Sequence, residues 1–206
     1  MIKRYVIEGA PGAGKTTIIF GRSHDEDDKT HYPCLKDEGF NVISESMTGT
    51  NRELRKEGIE PKYNMPEVFK RVLKKTIDKF HNVKEGINIF DRGLPSYEPL
   101  GNFFKGMLDM DNFYENCKKI RYDSPIIFLK PIPSVDLSKP KIPGKITTRI
   151  YSLEERYDLH EQIKETYKKQ GYEVIEIPIY SDNLEENLKI RIKKILKIIK
   201  FYNPLL

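Results

Sequence analysis

The chain has 206 residues, of which 38% are hydrophobic and 33% charged, and its net charge is +5. That balance suits a soluble globular protein rather than a disordered one, and no apolar run approaches the ~18 residues needed to span a bilayer. The net charge is mild and gives no argument for a nucleic-acid partner, which is not expected. Two well-separated cysteines, Cys34 and Cys117, with no ligand spacing around the histidines, point to reduced thiols in the cytoplasm rather than to disulfides or a zinc site.

The length suits one domain over 1–206. The first residues carry neither a long apolar stretch nor a small-residue cleavage site. They read as a strand, residues 2–8, that runs straight into "GAPGAGKTT". A helix is expected from Lys15 to about Gly21, interrupted by a polar, acidic insertion over 22–34. The stretch "LKDEGFNVISE" reads as a helical turn, a glycine stop at Gly39 and a second strand over 40–44. Residues 46–63 are polar and read as loop with short helical pieces. The segment "NMPEVFKRVLKKTIDKF" is a helix: Asn64 caps it, Pro66 suits its first turn, Glu67 takes the capping-box position, and Val68, Val72, Leu73, Ile77 and Phe80 share a face.

The third strand, "GINIFDRG", closes on Asp91, and a helix follows over 109–120. "SPIIFLKP" is the fourth strand. Residues 131–145 are proline-rich and aperiodic, hence loop. Ser152 and Glu155 form a second capping box, opening a helix that stops at Gly171. "YEVIEIP" is the fifth strand. The last helix runs from 184 to 202, with Leu188, Ile192, Ile195 and Ile199 inward and a basic outer face of Lys189, Arg191, Lys193, Lys194, Lys197 and Lys200. Short apolar strands alternating with helices predict a three-layer α/β domain with a parallel sheet.

Gly9, Gly14, Lys15 and Thr16 spell the phosphate-binding pattern G-x-x-x-x-G-K-[ST] between a strand and a helix. Glycines let the backbone wrap phosphate oxygens, and the helix presents N–H groups to them. The loop Gly9, Ala10, Pro11, Gly12, Ala13, Gly14, Lys15, Thr16 and Thr17 is therefore expected to bind ATP. Lys15 would reach the β- and γ-phosphates and the Thr16 hydroxyl would serve Mg²⁺.

Ligands collect beyond the C-terminal ends of strands in open parallel sheets, where Glu45, Asp91 and Arg92 are expected. Asp91 suits a second Mg²⁺ ligand. Arg92 suits an acceptor phosphate or the developing phosphoryl charge. Glu45 suits a sugar hydroxyl or deprotonation of an acceptor; the alternative is an ordinary exposed glutamate.

With "GAPGAGKTT", "LKDEGFNVISE", "IFDRGLPSY", "SPIIFLKP" and "RIYSLEERYDLHEQIKETYKKQGYEVIEIP" in order, the chain resembles P-loop kinases of the thymidylate kinase and nucleoside kinase type. Within them it is most similar to the AAA-type family related to the nicotinamide-riboside kinase domain of NadR-like proteins. The resemblance implies sheet order 2-3-1-4-5, an acceptor flanked by Asp91 and Arg92 with Glu45 in its pocket, and a lid over 131–150 carrying arginines toward the phosphates. Arg149 is the first candidate and Arg156 the second; by spacing alone, Arg156 reads as an exposed helix arginine in a local ion pair. Ser96 stands where the family often has aspartate. The implied activity is Mg²⁺- and ATP-dependent transfer to a nucleoside, nucleotide or related ribosyl compound, with Lys15, Asp91, Arg92 and Arg149 catalytic. The alternative is a regulatory ATPase or nucleotide switch without an acceptor. A Ras-like GTPase is disfavoured, because "FLKPIPSVD" lacks the guanine-reading Asn-Lys-x-Asp.

Overall fold

The computed structural model describes residues 1–22, 29–103, 110–133 and 151–204. Five strands, β1 (Ile2–Glu8), β2 (Asn41–Ile43), β3 (Gly86–Asp91), β4 (Ile126–Leu129) and β5 (Val174–Ile177), form one sheet in the order β2-β3-β1-β4-β5. Every pairing is parallel. Seven helices appear among the described residues: α1 (Lys15–Phe20), α2 (Met47–Lys56), α3 (Met65–His81), α4 (Tyr97–Phe103), α5 (Met110–Lys119), α6 (Leu153–Lys169) and α7 (Leu184–Tyr202).

Successive strand side chains point to opposite faces, and this alternation sorts the core into two layers. Tyr5, Ile7, Ile87, Ile89, Ile127 and Leu129 pack against Ile18 and Ile19 of α1 and the Leu188, Ile192, Ile195 and Ile199 stripe of α7. Val6, Phe90, Ile126 and Phe128 face the other way, onto α2, α3 and α6. Because both faces are covered, the central strands read as nearly continuous apolar runs. The register aligns Ile7 with Asp91 and with Ile127, so β1, β3 and β4 end side by side.

Strand parity also aims the polar ends. Asp91 continues the row of Ile87 and Ile89 toward α1, whereas Glu8 continues the row of Val6 toward α6. The short helix α1 ends at Gly21, which takes a left-handed φ of 70° and donates to the Thr17 carbonyl.

Several elements differ from the sequence reading. Residues 46–63 contain a full helix, α2, which buries Met47, Thr50 and Leu54 through an apolar stripe too sparse to stand out. Residues 94–103 form a 3₁₀ turn and then α4, where two prolines and a glycine masked the helical signal. Asn64 precedes α3 without a side-chain cap, and Glu67 binds Arg71 at 2.7 Å instead. The capping box at Ser152 and Glu155 is present with both hydrogen bonds, at 3.0 and 2.7 Å. Residues 23–28 of the acidic insertion lie outside the described residues.

The β5–α6 contact holds an ionic knot. Glu176 on β5 accepts from Lys164 at 3.3 Å and His160 Nε2 at 3.0 Å, and pairs with Lys130 at 3.1 Å. Burial pushes the Glu176 carboxyl up, but the donors from His160, Lys130 and Lys164 outweigh it and hold the group at about 2, against an ordinary 4.5. The folded value lies below the unfolded one, so this stabilisation is complete above about pH 4.5 and is lost as pH falls toward 2. Glu176→Gln is therefore expected to flatten the acid side of the stability profile. Urea midpoints measured between roughly pH 5 and 3 check this; an unchanged slope would remove Glu176 from acid unfolding.

Candidate active site

The phosphate-loop pattern, residues 9–16, joins β1 to α1. Its carbonyl groups are all engaged, and mostly by cations. Lys15 Nζ donates to the carbonyls of Gly9 at 2.7 Å and Ala10 at 3.1 Å. Arg156 Nε, from α6, donates to Pro11 at 3.0 Å. The Gly12 carbonyl accepts from the Ile132 amide at 3.1 Å and from Arg156 at 3.4 Å. Arg191, from α7, donates to Ala13 at 2.9 Å. In a trans peptide the N–H points opposite to the preceding C=O. With the carbonyl of Pro11 turned to Arg156 and that of Ala13 to Arg191, the amides of Gly12 and Gly14 point away from those carbonyls' partners. That is the arrangement an anion requires.

Arg156 and Arg191 also tie the loop to its neighbours. Arg156 donates to Ile132 at 2.8 Å, and Arg191 donates to Lys130 and Pro178 at 2.9 and 3.0 Å. Arg191 is fully buried, and burial lowers its pKa to about 10. Gly12 has a φ of 75°, and a Cβ there would lie 2.5 Å from the Arg156 guanidinium. Glycine is thus required both by the left-handed backbone and by the close approach of the arginine.

Beside the loop, Thr16 Oγ1 donates to Asp91 Oδ2 at 3.2 Å. Asp91 is 3% exposed, and its Oδ1 has no hydrogen-bond partner among the described residues. Burial, reinforced by the nearby Glu45 charge, raises the Asp91 pKa. Burial and then Arg92 lower that of Lys15.

Arg92 takes a φ of 74°, the single left-handed non-glycine residue among those described. Such a conformation is disfavoured for a side-chain-bearing residue and persists only where surroundings impose it. Glu8 imposes it. Its Oε1 accepts from Arg92 Nη1 at 2.7 Å and from the Gly9 amide at 3.0 Å. Its Oε2 accepts from Tyr167 Oη at 3.1 Å and the Gly93 amide at 3.4 Å. Glu8 is entirely buried. Burial works against the Arg92 charge, but Glu8, Glu45 and Asp91 hold its pKa above the ordinary value. A Cβ on Gly93 would lie 2.4 Å from Tyr167 Oη, which explains the glycine of Asp-Arg-Gly.

Glu45 stands on the other side of Arg92, its Oε2 3.4 Å from Nε. Thr48 donates to Glu45 Oε1 at 2.6 Å. The structure thus brings Lys15, Thr16, Glu45, Asp91 and Arg92 together. Arg149 and most of the expected lid, from residue 134 to 150, lie outside the described residues.

Two arginines differ from their sequence reading. Arg156 is 2% exposed and holds the phosphate loop, so the exposed local ion pair is corrected. Arg191, assigned to the basic outer face of the last helix, points inward. A lysine-rich helix gave no hint of it: position 191 lies one residue from the apolar stripe, and only its length lets it reach three loops. Glu8 belongs to no motif and in the sequence reads as the end of a strand. Its signal was a carboxylate in a row of buried residues, which must be paired. The structure also gathers His31, Cys34 and Asp37, with ligand atoms within 4.8 Å of one another, although their spacing suggested nothing.

The phosphate loop and the sheet order β2-β3-β1-β4-β5 define a three-layer P-loop NTPase fold. The chain belongs to the AAA_28 family, an AAA domain, whose model matches residues 4–186. A search of curated proteins finds no match. Among solved structures the chain is similar to deoxyadenosine kinase from M. mycoides with products dCMP and dCDP (18% identity, TM-score 0.60, covering 98% of this chain and 100% of that one). It is also similar to thymidylate kinase from Ehrlichia chaffeensis (15%, 0.53, 96% and 98%). Shikimate kinase from Acinetobacter baumannii gives 15%, 0.50, 98% and 96%. At these identities the likeness is one of fold.

Glu8→Gln leaves Arg92 buried beside a neutral amide and should lower the unfolding free energy by about 3–5 kcal/mol in chemical denaturation. A Glu8→Gln, Arg92→Gln double variant should lose less than the sum of the single losses; additive losses would show that the two residues are not coupled. Arg191→Lys keeps the charge but cannot reach all three carbonyls. Its unfolding free energy in chemical denaturation should fall, by about 1–3 kcal/mol for each carbonyl left unpaired, and an unchanged stability would show that the arginine braces nothing.

Proposed function

We propose that the protein is an ATP-dependent phosphotransferase acting on a small acceptor, a nucleoside, nucleotide or related ribosyl compound. One observation carries this reading. Arg92 and Glu45 stand beside the phosphate loop, and Arg92 is locked to that loop through Glu8. A partly exposed carboxylate and a guanidinium facing each other beside the phosphate loop are the groups that positioning an acceptor calls for. The fold likeness to kinases and the AAA-domain family fit the same reading.

Thr16 and Asp91 fit a magnesium ion. Both are oxygen donors in contact, and the buried Asp91 Oδ1 lacks a hydrogen-bond partner among the described residues. These two residues would hold the ion, which when bound neutralises charge on the β- and γ-phosphates. Loop amides bind the phosphate oxygens. Lys15 shifts from the carbonyls of Gly9 and Ala10 to the phosphates, Arg92 and Glu45 orient the acceptor, and Lys15 and Arg92 stabilise the transferring phosphoryl group. Arg149 is assigned a further contact to that group from the lid, which excludes water so that the acceptor wins. No described helix is long and apolar enough to cross a membrane, and a cytoplasmic setting with a nucleotide donor and a small-molecule partner fits this chemistry.

The test is ADP release from Mg²⁺–ATP, with and without a panel of nucleosides and nucleoside monophosphates. Stimulation by an acceptor, with its phosphorylated product, is expected. Hydrolysis indifferent to every acceptor would favour a regulatory ATPase. Arg92→Lys, which keeps the charge and loses the fork, should cut transfer by about 100-fold while ATP affinity stays near wild type. Equal losses in ATP binding would place Arg92 on the wrong substrate.

A further inference from the structure

We propose that His31, Cys34 and Asp37 form a binding site for one Zn²⁺ ion, with three protein ligands and a fourth position open to water. The site lies at the opposite end of α1 from the phosphate loop and does not rest on the phosphotransferase reading.

The turn that carries these residues is built onto α1. A helix ends with carbonyl groups that have no partner within it. Here the Leu35 amide donates to Ile18 at 2.8 Å and the Lys36 amide to Ile19 at 3.1 Å. The Tyr32 amide donates to Gly21 at 3.0 Å, and His31 forms a β-bridge with Arg22. The turn is closed on itself by the Asp37 amide, which donates to the Cys34 carbonyl at 3.2 Å. Residues 31–37 thus cap the helix, and every third one, His31, Cys34 and Asp37, meets at one point. Gly21 leaves room for the imidazole, since a Cβ there would lie 2.6 Å from His31 Cε1. The convergence comes from these tertiary pins, and the spacing alone gives no sign of it.

The geometry suits a small ion. Ligand atoms of the three side chains lie within 4.8 Å of one another. An ion about 2.0–2.3 Å from each of three tetrahedral ligands sets those ligands about 3.3–3.8 Å apart, so shifts of about 1 Å close the site. The two side chains that must move are free to do so: His31 and Asp37, 2.9 Å apart, are 63% and 48% exposed. Cys34 is 1% exposed and supplies a sulfur fixed from the core side. Imidazole, thiolate and carboxylate together suit Zn²⁺, whereas Mg²⁺ and Ca²⁺ take oxygen ligands. That donor set separates this site from the all-oxygen pair of Thr16 and Asp91.

Binding balances without an oxidant or reductant. Before the ion arrives Cys34 is a thiol, because burial raises its pKa and the Asp37 carboxylate adds to the rise. The Cys34 S–H bond breaks, its proton passes to water, and the sulfur donates the retained electron pair to Zn²⁺. A neutral His31 ring nitrogen and an Asp37 oxygen give up their contact with each other for bonds to the ion. The loaded site ties the cap together and favours the folded state by mass action.

The experiment uses the full chain, reduced and freed of metal by a chelator, and titrates it with Co²⁺ while absorption is recorded. One equivalent should produce a thiolate-to-cobalt charge-transfer band and the strong visible bands of a tetrahedral site, and Zn²⁺ should abolish both. Cys117→Ser should keep these bands and Cys34→Ser should lose them. Because Cys34 is buried and its variant could unfold, the exposed ligands carry the test as well. His31→Ala and Asp37→Asn should each keep the fold and weaken Zn²⁺ binding by at least about 10- to 100-fold, the loss typical of removing even an outer partner of a metal ligand. Added Zn²⁺ should raise the melting temperature of the parent chain and leave that of His31→Ala unchanged. Absence of the charge-transfer band from the parent chain, its survival in Cys34→Ser, its loss in Cys117→Ser, or Zn²⁺ affinity unchanged in both His31→Ala and Asp37→Asn would overturn the proposal. The three residues would then be an exposed histidine–aspartate pair over a buried thiol.

Discussion

The contact on which the site depends is the buried ion pair between Glu8 and Arg92. One carboxylate oxygen accepts both from the guanidinium of Arg92 and from the amide of Gly9, the first residue of the phosphate loop. The other reaches Tyr167 on α6 and the amide of Gly93. A lone charge of either sign would be intolerable at this depth, so neither residue can move without the other. The pair therefore fixes the distance between the loop and the Asp-Arg-Gly turn, and it holds Arg92 in a backbone conformation that it would otherwise leave.

Around that pair, two further buried arginines are bonded to backbone carbonyl groups. Arg156 and Arg191 approach the phosphate loop from α6 and α7 and take its carbonyl groups. A loop of this kind has a conformational problem of its own, since glycines that permit its shape also permit many others. Two guanidinium forks, each bonded to several carbonyls, remove that freedom. They also set positive charge behind a site for anions, which the proposed nucleotide would meet from the front.

Strand parity divides the work of neighbouring residues. Asp91 faces α1 and Thr16, whereas Arg92 turns toward Glu8 and α6. Two adjacent residues of opposite charge thus avoid pairing with each other and serve the two sides of one crevice. The covered sheet makes this possible: the edges of β1 and β3 end in register, and helices on both faces offer partners.

By itself the amino-acid sequence determined the strands, the five-stranded α/β architecture and the phosphate loop, because hydrophobic period, glycine placement and capping are local and repeat along the chain. It also marked Asp91, Arg92 and Glu45, since residues after apolar strands must emerge at one edge of a parallel sheet. Helices α2 and α4 escaped it, because prolines, glycines and a thin apolar stripe hide a helix whose stability comes from tertiary packing. The roles of Glu8, Arg156 and Arg191 were decided only in three dimensions. Each acts on residues far away in the chain, as Arg191 does on Ala13 and Glu8 on Tyr167, and no spacing rule connects such partners. A buried charge takes its meaning from what folding places against it, and that is set by the packing of the helices on the sheet rather than by the residue's neighbours in sequence.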